Sequence, residues 1–167
     1  MKKVETERKF IVVKPSIDIL KQFESYTESN ITQTYLTDPT RTHRIRKREY
    51  TDGRVEYTEN IKLRISGMSA YENEREISEA EYISLSANMD PSTSPVKKTR
   101  RTVEIGGLVY EFDSYEPWRT TCIMEVELDS EQTELPIPDF VTVVREVTGV
   151  KAYSNHSMAH AFPEEDK

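Results

Sequence analysis

Glu5-Thr6-Glu7-Arg8-Lys9 stands near the start of the chain and runs straight into Phe10-Ile11-Val12-Val13. Side chains of a strand alternate between its two faces. Glu5, Glu7 and Lys9 therefore share one face, and Val4, Thr6, Arg8 and Phe10 the other. A charged strand face is ordinarily a solvated one, but this pattern recurs. Further segments with strand alternation carry Arg44/Arg46/Arg48, Lys62/Arg64, Glu72/Glu74/Glu76, Lys98/Arg100/Thr102, Asp113 beside Glu111, and Glu125/Glu127. The opposite parities are apolar, as in Tyr57/Ile61/Leu63/Ile65 and Met124/Val126/Leu128. A wet sheet face mixes charge signs and neutral polar groups, whereas like charges two apart on one face repel. Blocks of like charge tolerated this often imply ligands that neutralise them. Carboxylates suit hard divalent cations, and arginine forks and lysines suit phosphate oxygens. A closed barrel with these faces inside would hold a metal–polyphosphate complex.

The 167-residue length fits one domain, expected to span 1–167. With 32% charged and 35% hydrophobic residues the core is lean, and the regular strand patterns argue against disorder. A net charge of −7 disfavours nucleic acid as a partner. The single cysteine, Cys122, excludes an intrachain disulfide and falls on an apolar parity, which reads as packing. With charge from the second residue onward and no long apolar run, neither a leader nor a membrane span is visible. The expectation is a cytoplasmic protein without a membrane partner.

Local signals place the connections. Ser16 after Pro15 opens a short helix with Ile17, Leu20 and Phe23 on one stripe, and Ser78-Glu79-Ala80-Glu81 is a capping box for another that runs to about Asn88. Asp52-Gly53 and Gly106-Gly107 are two-residue hairpin turns. Pro136 and Pro138 introduce a segment in which Phe140, Val143, Val144 and Val147 follow helical spacing, with Gly149 as its stop. Tyr153 to about Phe162 reads as a last short helix, with a frayed acidic end. His43, His156 and His160 read as structural, and Trp118 as a loop residue beside Pro117.

The ordered set resembles the CYTH superfamily, the triphosphate tunnel metalloenzymes. Glu5-Thr6-Glu7-Arg8-Lys9 matches its ExExK signature. Arg44-Ile45-Arg46, Lys62, Glu74-Arg75-Glu76, Lys98-Thr99-Arg100, Asp113 and Glu125-Val126-Glu127 follow in order, and Glu146 to Gly149 with Tyr153 to Ala159 resembles its C-terminal pattern. The resemblance implies an α+β, mainly β fold: a closed eight-stranded antiparallel barrel with a charged tunnel inside and helices packed outside. Phe10, Ile61, Leu63, Val126 and Leu128 would then lie under helices. It implies a metal-dependent triphosphatase using Mg²⁺ or Mn²⁺, with inorganic triphosphate as the favoured substrate. Glu5, Glu7 and Lys9 would be the catalytic set. Glu5, Glu7, Glu125 and Glu127 would hold metal, with Glu74, Glu76 and Asp113 as further contributors. Lys9, Arg44, Arg46, Lys62, Lys98 and Arg100 would grip phosphate. A class IV-type adenylate cyclase, a thiamine or nucleoside triphosphatase and a non-catalytic polyphosphate-binding module are the alternatives. A homodimer is compatible with the family.

Overall fold

The structure, a computed structural model, describes residues 2–166. Eight strands close on themselves: β1 (Lys2–Val13), β2 (Thr27–Tyr35), β3 (Thr42–Tyr50), β4 (Val55–Arg64), β5 (Ser69–Glu76), β6 (Val96–Ile105), β7 (Leu108–Ser114) and β8 (Thr121–Leu128). The order around the wall is β1-β5-β4-β3-β2-β6-β7-β8 and back to β1, with every pairing antiparallel. Closure removes the open edges that would otherwise need covering.

β1 closes the barrel because it is long enough to serve two partners on one edge. Its first half pairs with β5 through Thr6, and its second half leaves that edge free beyond Thr6. A ninth strand, β9 (Val143–Glu146), takes up part of it, opposite Phe10 to Val12. This corrects the helix expected after Pro138. The backbone groups of an exposed strand edge need partners, and Val141-Thr142-Val143-Val144 is a β-branched run suited to a strand. Those demands override the helical spacing. Gly149 does not end a helix. It holds φ +70° in the turn after β9 and packs on Gly67, where a Cβ would meet the Gly67 Cα and carbonyl at 3.0 Å. The hairpin at Gly106-Gly107 has φ +58° and +81°, as a two-residue turn with two left-handed positions requires.

The helices are few and short: α1 (Ile17–Leu20), α2 (Glu79–Ser86) and α3 (Asn155–His160), with a 3₁₀ turn at Lys151–Tyr153. Ser78 and Glu81 form the expected capping box of α2, whereas the Ser16 side chain makes no cap bond. The main outer core joins Phe10, Val12, Val103, Tyr110, Phe112, Cys122, Met124, Val126 and Leu128 with Leu20 of α1 and Val141. A second outer core puts Leu36, Ile45 and Ile77 under Tyr82 and Leu85 of α2. Phe10, Val126 and Leu128 are buried, but their cover comes largely from Leu135, Phe140 and Val141 of a loop, with Leu20 of α1, rather than from helices as expected. Ile61 is only half-buried, and Leu63 is exposed, opposite exposed Tyr71 on β5. α2 packs instead on Tyr57 near the start of β4, through Tyr82.

The inversion of the barrel is not complete. At the end where β1 and β2 finish and β6 and β8 begin, the inward positions are apolar. Ile11, Tyr35, Val96, Tyr115 and Ile123 form a third core with Trp118, Val147, Tyr153, Met158 and Ala159. The C-terminal segment thereby plugs that end. Its tail is held rather than frayed. Glu165 accepts backbone N–H bonds from Arg119, Thr120 and Thr121, and Arg145 binds Asp166 at 2.7 Å. Lys167 lies outside the described residues.

Candidate active site

The register sets the tunnel. Glu7 lies opposite Glu127, Lys9 opposite Glu125, Glu125 opposite Glu111, Asp113 opposite Arg100, Arg46 opposite Gln33, Arg44 opposite Asn60, and Lys62 opposite Glu72. Cross-strand partners share a face, so all of these look inward.

On the β6–β7–β8 wall the charges neutralise one another. Asp113, fully buried, receives Arg100 through two parallel bonds of 2.8 Å and lies 2.8 Å from Lys98 Nζ. Arg100 also reaches Glu111 at 2.9 Å and Glu125 at 3.9 Å, and Glu125 lies 3.4 Å from Lys9. Burial opposes ionisation of Asp113, but Arg100 and Lys98 hold its carboxyl well below the ordinary range. Glu125 is likewise brought down to about 2 by Lys9 and Lys98 against its burial. Lys98 is lowered to about 8, since burial outweighs Asp113 and Arg100 adds repulsion. Lys9 stays above its ordinary value because Glu125 and Glu7 outweigh its burial.

The β2–β3 wall is different. Arg44 and Arg46 make no ion pair among the described residues. Arg46 donates to the neutral Gln33 Oε1 at 2.7 and 3.3 Å, and Arg48 to Ser29 Oγ at 2.8 Å. Arg44 Nε and Gln33 Nε2 are buried without a hydrogen-bond partner, as are Lys98 Nζ and Glu125 Oε1 on the other wall, a state folded proteins avoid unless a ligand completes it. The Lys98 and Glu125 atoms have an ion-pair partner nearby, and Arg44 has none among the described residues. Burial, then Arg44 and Arg100, lowers Arg46 to about 9, so it remains a cation at neutral pH.

Carboxylates gather on the remaining arc. Glu5 accepts from Lys62 Nζ at 3.1 Å, and the buried Glu72 accepts from Asn60 Nδ2. Burial and the neighbouring Glu72 raise Glu5. Burial pushes Glu7 up to about 7, with Glu125 adding to the rise while Lys9 and Lys62 pull against it. These lysines leave the cluster undercompensated, and all its donors are hard oxygens, so the residues fit a divalent cation of the Mg²⁺ or Mn²⁺ type. Glu127, Glu74 and Glu76 are exposed toward the tunnel ends, and the Glu74 charge still reaches Arg44 and Arg46. A cavity of about 400 Å³ lies between Glu7, Lys9, Arg44, Asn60 and Lys62 on the barrel and residues 147–157 of the C-terminal segment.

The structure thus brings the expected site residues into one tunnel but in different company. Asp113 sits with Lys98 and Arg100, away from Glu5 and Glu7. Glu72, Glu111, Asn60 and Gln33 belong to the tunnel and were not among the expected site residues, although each lies two positions from one or shares its parity. Trp118 is excluded as a base platform: it is buried and donates to the Pro163 carbonyl at 3.0 Å. His43 faces outward and binds Glu59 at 2.7 Å.

The CYTH domain family matches residues 3–162. The chain belongs to that family. Among solved structures, the inorganic triphosphatase NE1496 is 27% identical, with a TM-score of 0.56 over 95% of this chain and 99% of that one. A conserved hypothetical protein from Pyrococcus furiosus shares the fold at 19% identity and TM-score 0.53, covering 77% of this chain and 80% of that one. A putative adenylate cyclase from Vibrio parahaemolyticus shares it at 13% and 0.50, covering 75% and 78%. No curated protein matches the chain. No described helix of this CYTH protein is long and apolar enough to cross a membrane.

Proposed function

We propose that this CYTH protein hydrolyses triphosphates, inorganic triphosphate by preference, with Mg²⁺ or Mn²⁺. The observation that carries the reading is the pair of inward arginines, Arg44 buried and Arg46 half-buried, without an ion-paired carboxylate among the described residues in a closed tunnel whose opposite arc is acidic. Arg44, Arg46 and Lys62 grip the phosphate chain, and Lys9 stabilises charge on the group being transferred. Lys98 and Arg100, fixed by Asp113, extend the cationic lining toward the β6–β7 wall. Glu5, Glu7, Glu125 and Glu127 hold the cation, with Glu74 and Glu76 as outer contributors. When bound, the cation neutralises phosphate charge and acidifies water for attack on the terminal phosphorus. Asp113 contributes by holding Lys98 and Arg100 in place, because both of its oxygens are already engaged by them.

The preference for inorganic triphosphate follows from where binding energy is available. The cavity offers Lys9, Arg44 and Lys62 to a phosphate chain, Trp118 is unavailable to stack a base, and the two rings in the lining, Tyr35 and His156, already pack on each other at 4.9 Å. A nucleoside adds bulk without matched polar contacts. The test is phosphate release from inorganic triphosphate, ATP and thiamine triphosphate, each with Mg²⁺ and with Mn²⁺. The expected result is the highest kcat/KM for inorganic triphosphate. An equal or higher value for ATP overturns the preference, cyclic AMP formation replaces hydrolysis by cyclisation, and tight binding without release leaves only a binding module.

A further inference from the structure

α3 carries His156 and His160 one turn apart, with ring centroids 5.0 Å apart. Asp90, in the loop after α2, completes a trio whose ligating atoms all lie within 4.8 Å of one another. The surroundings hold Asp90 and His156, while His160 is exposed with its Nδ1 3.3 Å from the Ser92 hydroxyl. Asp90 Oδ1 accepts from the Ser92 N–H at 2.9 Å and the Ser92 hydroxyl at 2.7 Å, which orients the carboxylate. The Asp90 N–H donates to the Tyr35 carbonyl, and Ser94 N–H to the Ala159 carbonyl of α3 at 2.8 Å, so loop and helix are tied together around the trio. The His156 ring packs on Tyr35 at 4.9 Å. Partners that orient ligands in this way are the usual second layer of a metal site.

Two imidazoles and one carboxylate differ in kind from the all-carboxylate set in the tunnel. Imidazole selects zinc, copper, nickel and their neighbours over Mg²⁺. Around a tetrahedral zinc-class ion with bonds of about 2.0–2.1 Å, ligand atoms stand about 3.3 Å apart, so from separations of up to 4.8 Å the trio needs to close by up to about 1.5 Å. Two histidines at i and i+4 on one helix face make that closure a matter of side-chain rotation.

We propose that Asp90, His156 and His160 form a second metal site, which takes one borderline divalent transition-metal ion of the zinc class and pins α3 to the 90–94 loop. Three protein ligands leave a fourth position for water. His156 also lines the tunnel cavity, so loading this site fixes part of the wall against which the cavity is formed. The proposal does not depend on what the tunnel hydrolyses.

The test is calorimetric titration of the purified full chain with ZnCl₂ in excess Mg²⁺, which occupies oxygen sites but competes poorly for imidazole. Wild type is expected to bind one Zn²⁺ per chain, and His160→Ala to bind it at least about tenfold more weakly. Asp90→Asn is expected to lose affinity in the same direction, which keeps the test open should one variant fold poorly. Zn²⁺ should also raise the melting temperature of wild type and not of His160→Ala. No Zn²⁺ uptake by wild type under these conditions, or a change of less than about threefold in both variants, would overturn the proposal.

Discussion

Two walls of one tunnel carry similar charges and treat them in opposite ways. On β6–β8, Lys98, Arg100, Glu111, Asp113 and Glu125 are locked into ion pairs of 2.8 to 3.9 Å. On β2–β3, Arg44 is buried between Tyr35 and Asn60 and the half-buried Arg46 faces a neutral Gln33, and Arg44 Nε meets no acceptor. A buried, paired charge is a structural element, costly to break. A buried charge without a counter-ion is a cost the fold carries until an anion arrives. The first wall is therefore held by its own ion pairs, whereas on the second Arg46 keeps its charge without one and Arg44 is offset only through space, by Glu5, Glu74 and Glu72. Binding energy for an anionic substrate resides where the protein has left its own charge uncompensated.

The largest expected effect breaks the scaffold wall. Asp113→Asn strands Lys98 and Arg100 and should lower unfolding stability by about 3–5 kcal/mol, measured by urea denaturation. If the variant is as stable as wild type, this wall is not the scaffold. Next in size, Arg46→Ala should cut kcat/KM for inorganic triphosphate by about 10²–10³-fold while the melting temperature of the ligand-free protein stays level or rises. A stability loss with activity retained would place Arg46 among the structural pairs.

A pH test sharpens the contrast through Lys98. Its value of about 8 lies below the ordinary 10.5, so between these values the unfolded chain binds the proton and the folded one does not. Stability from this group therefore rises with pH across that window. Phosphate binding needs the ammonium, so kcat/KM should fall above pH about 8, approaching tenfold per pH unit. A profile flat to pH 10 would remove Lys98 from the phosphate grip. The smallest effect lies outside both walls. Hydrogen bonds from the Thr121 hydroxyl and then the backbone at Arg119 hold Glu165 down to about 2. Its contribution is present above the ordinary 4.5 and lost as pH falls toward 2. Glu165→Gln should lower the melting temperature by no more than about 2–4 °C and leave activity unchanged; a larger loss would show that the tail contact matters as much as the tunnel.

The sequence displayed the barrel and its charged interior because period-two alternation is a local signal and the charges mark one parity unambiguously. It did not display how the charges divide. Asp113 reads like the metal-directed carboxylates, and only the register opposite Arg100 shows that it is already occupied. Glu72 and Glu111 share the inward parity of Glu74 and Asp113, yet their involvement depends on which strand lies next to them. The segment after Pro138 carries helical spacing and becomes a strand because β1 extends past β5 and leaves an edge, a long-range fact whose one local sign is the β-branched run from Val141 to Val144. Leu63 carries the apolar parity of buried residues, but nothing in its own strand reveals that α2 stops short of it.

The most direct measurement of the difference between the walls is the affinity of the metal-free protein for inorganic triphosphate, taken by calorimetry on wild type and on Arg46→Ala. Loss of a charged, half-buried hydrogen-bonding partner predicts a dissociation constant about tenfold to a hundredfold higher in the variant, with the ligand-free melting temperature level or raised. Equal affinity in the two proteins would contradict the account, because the uncompensated arginine wall would then not be where the phosphate chain binds.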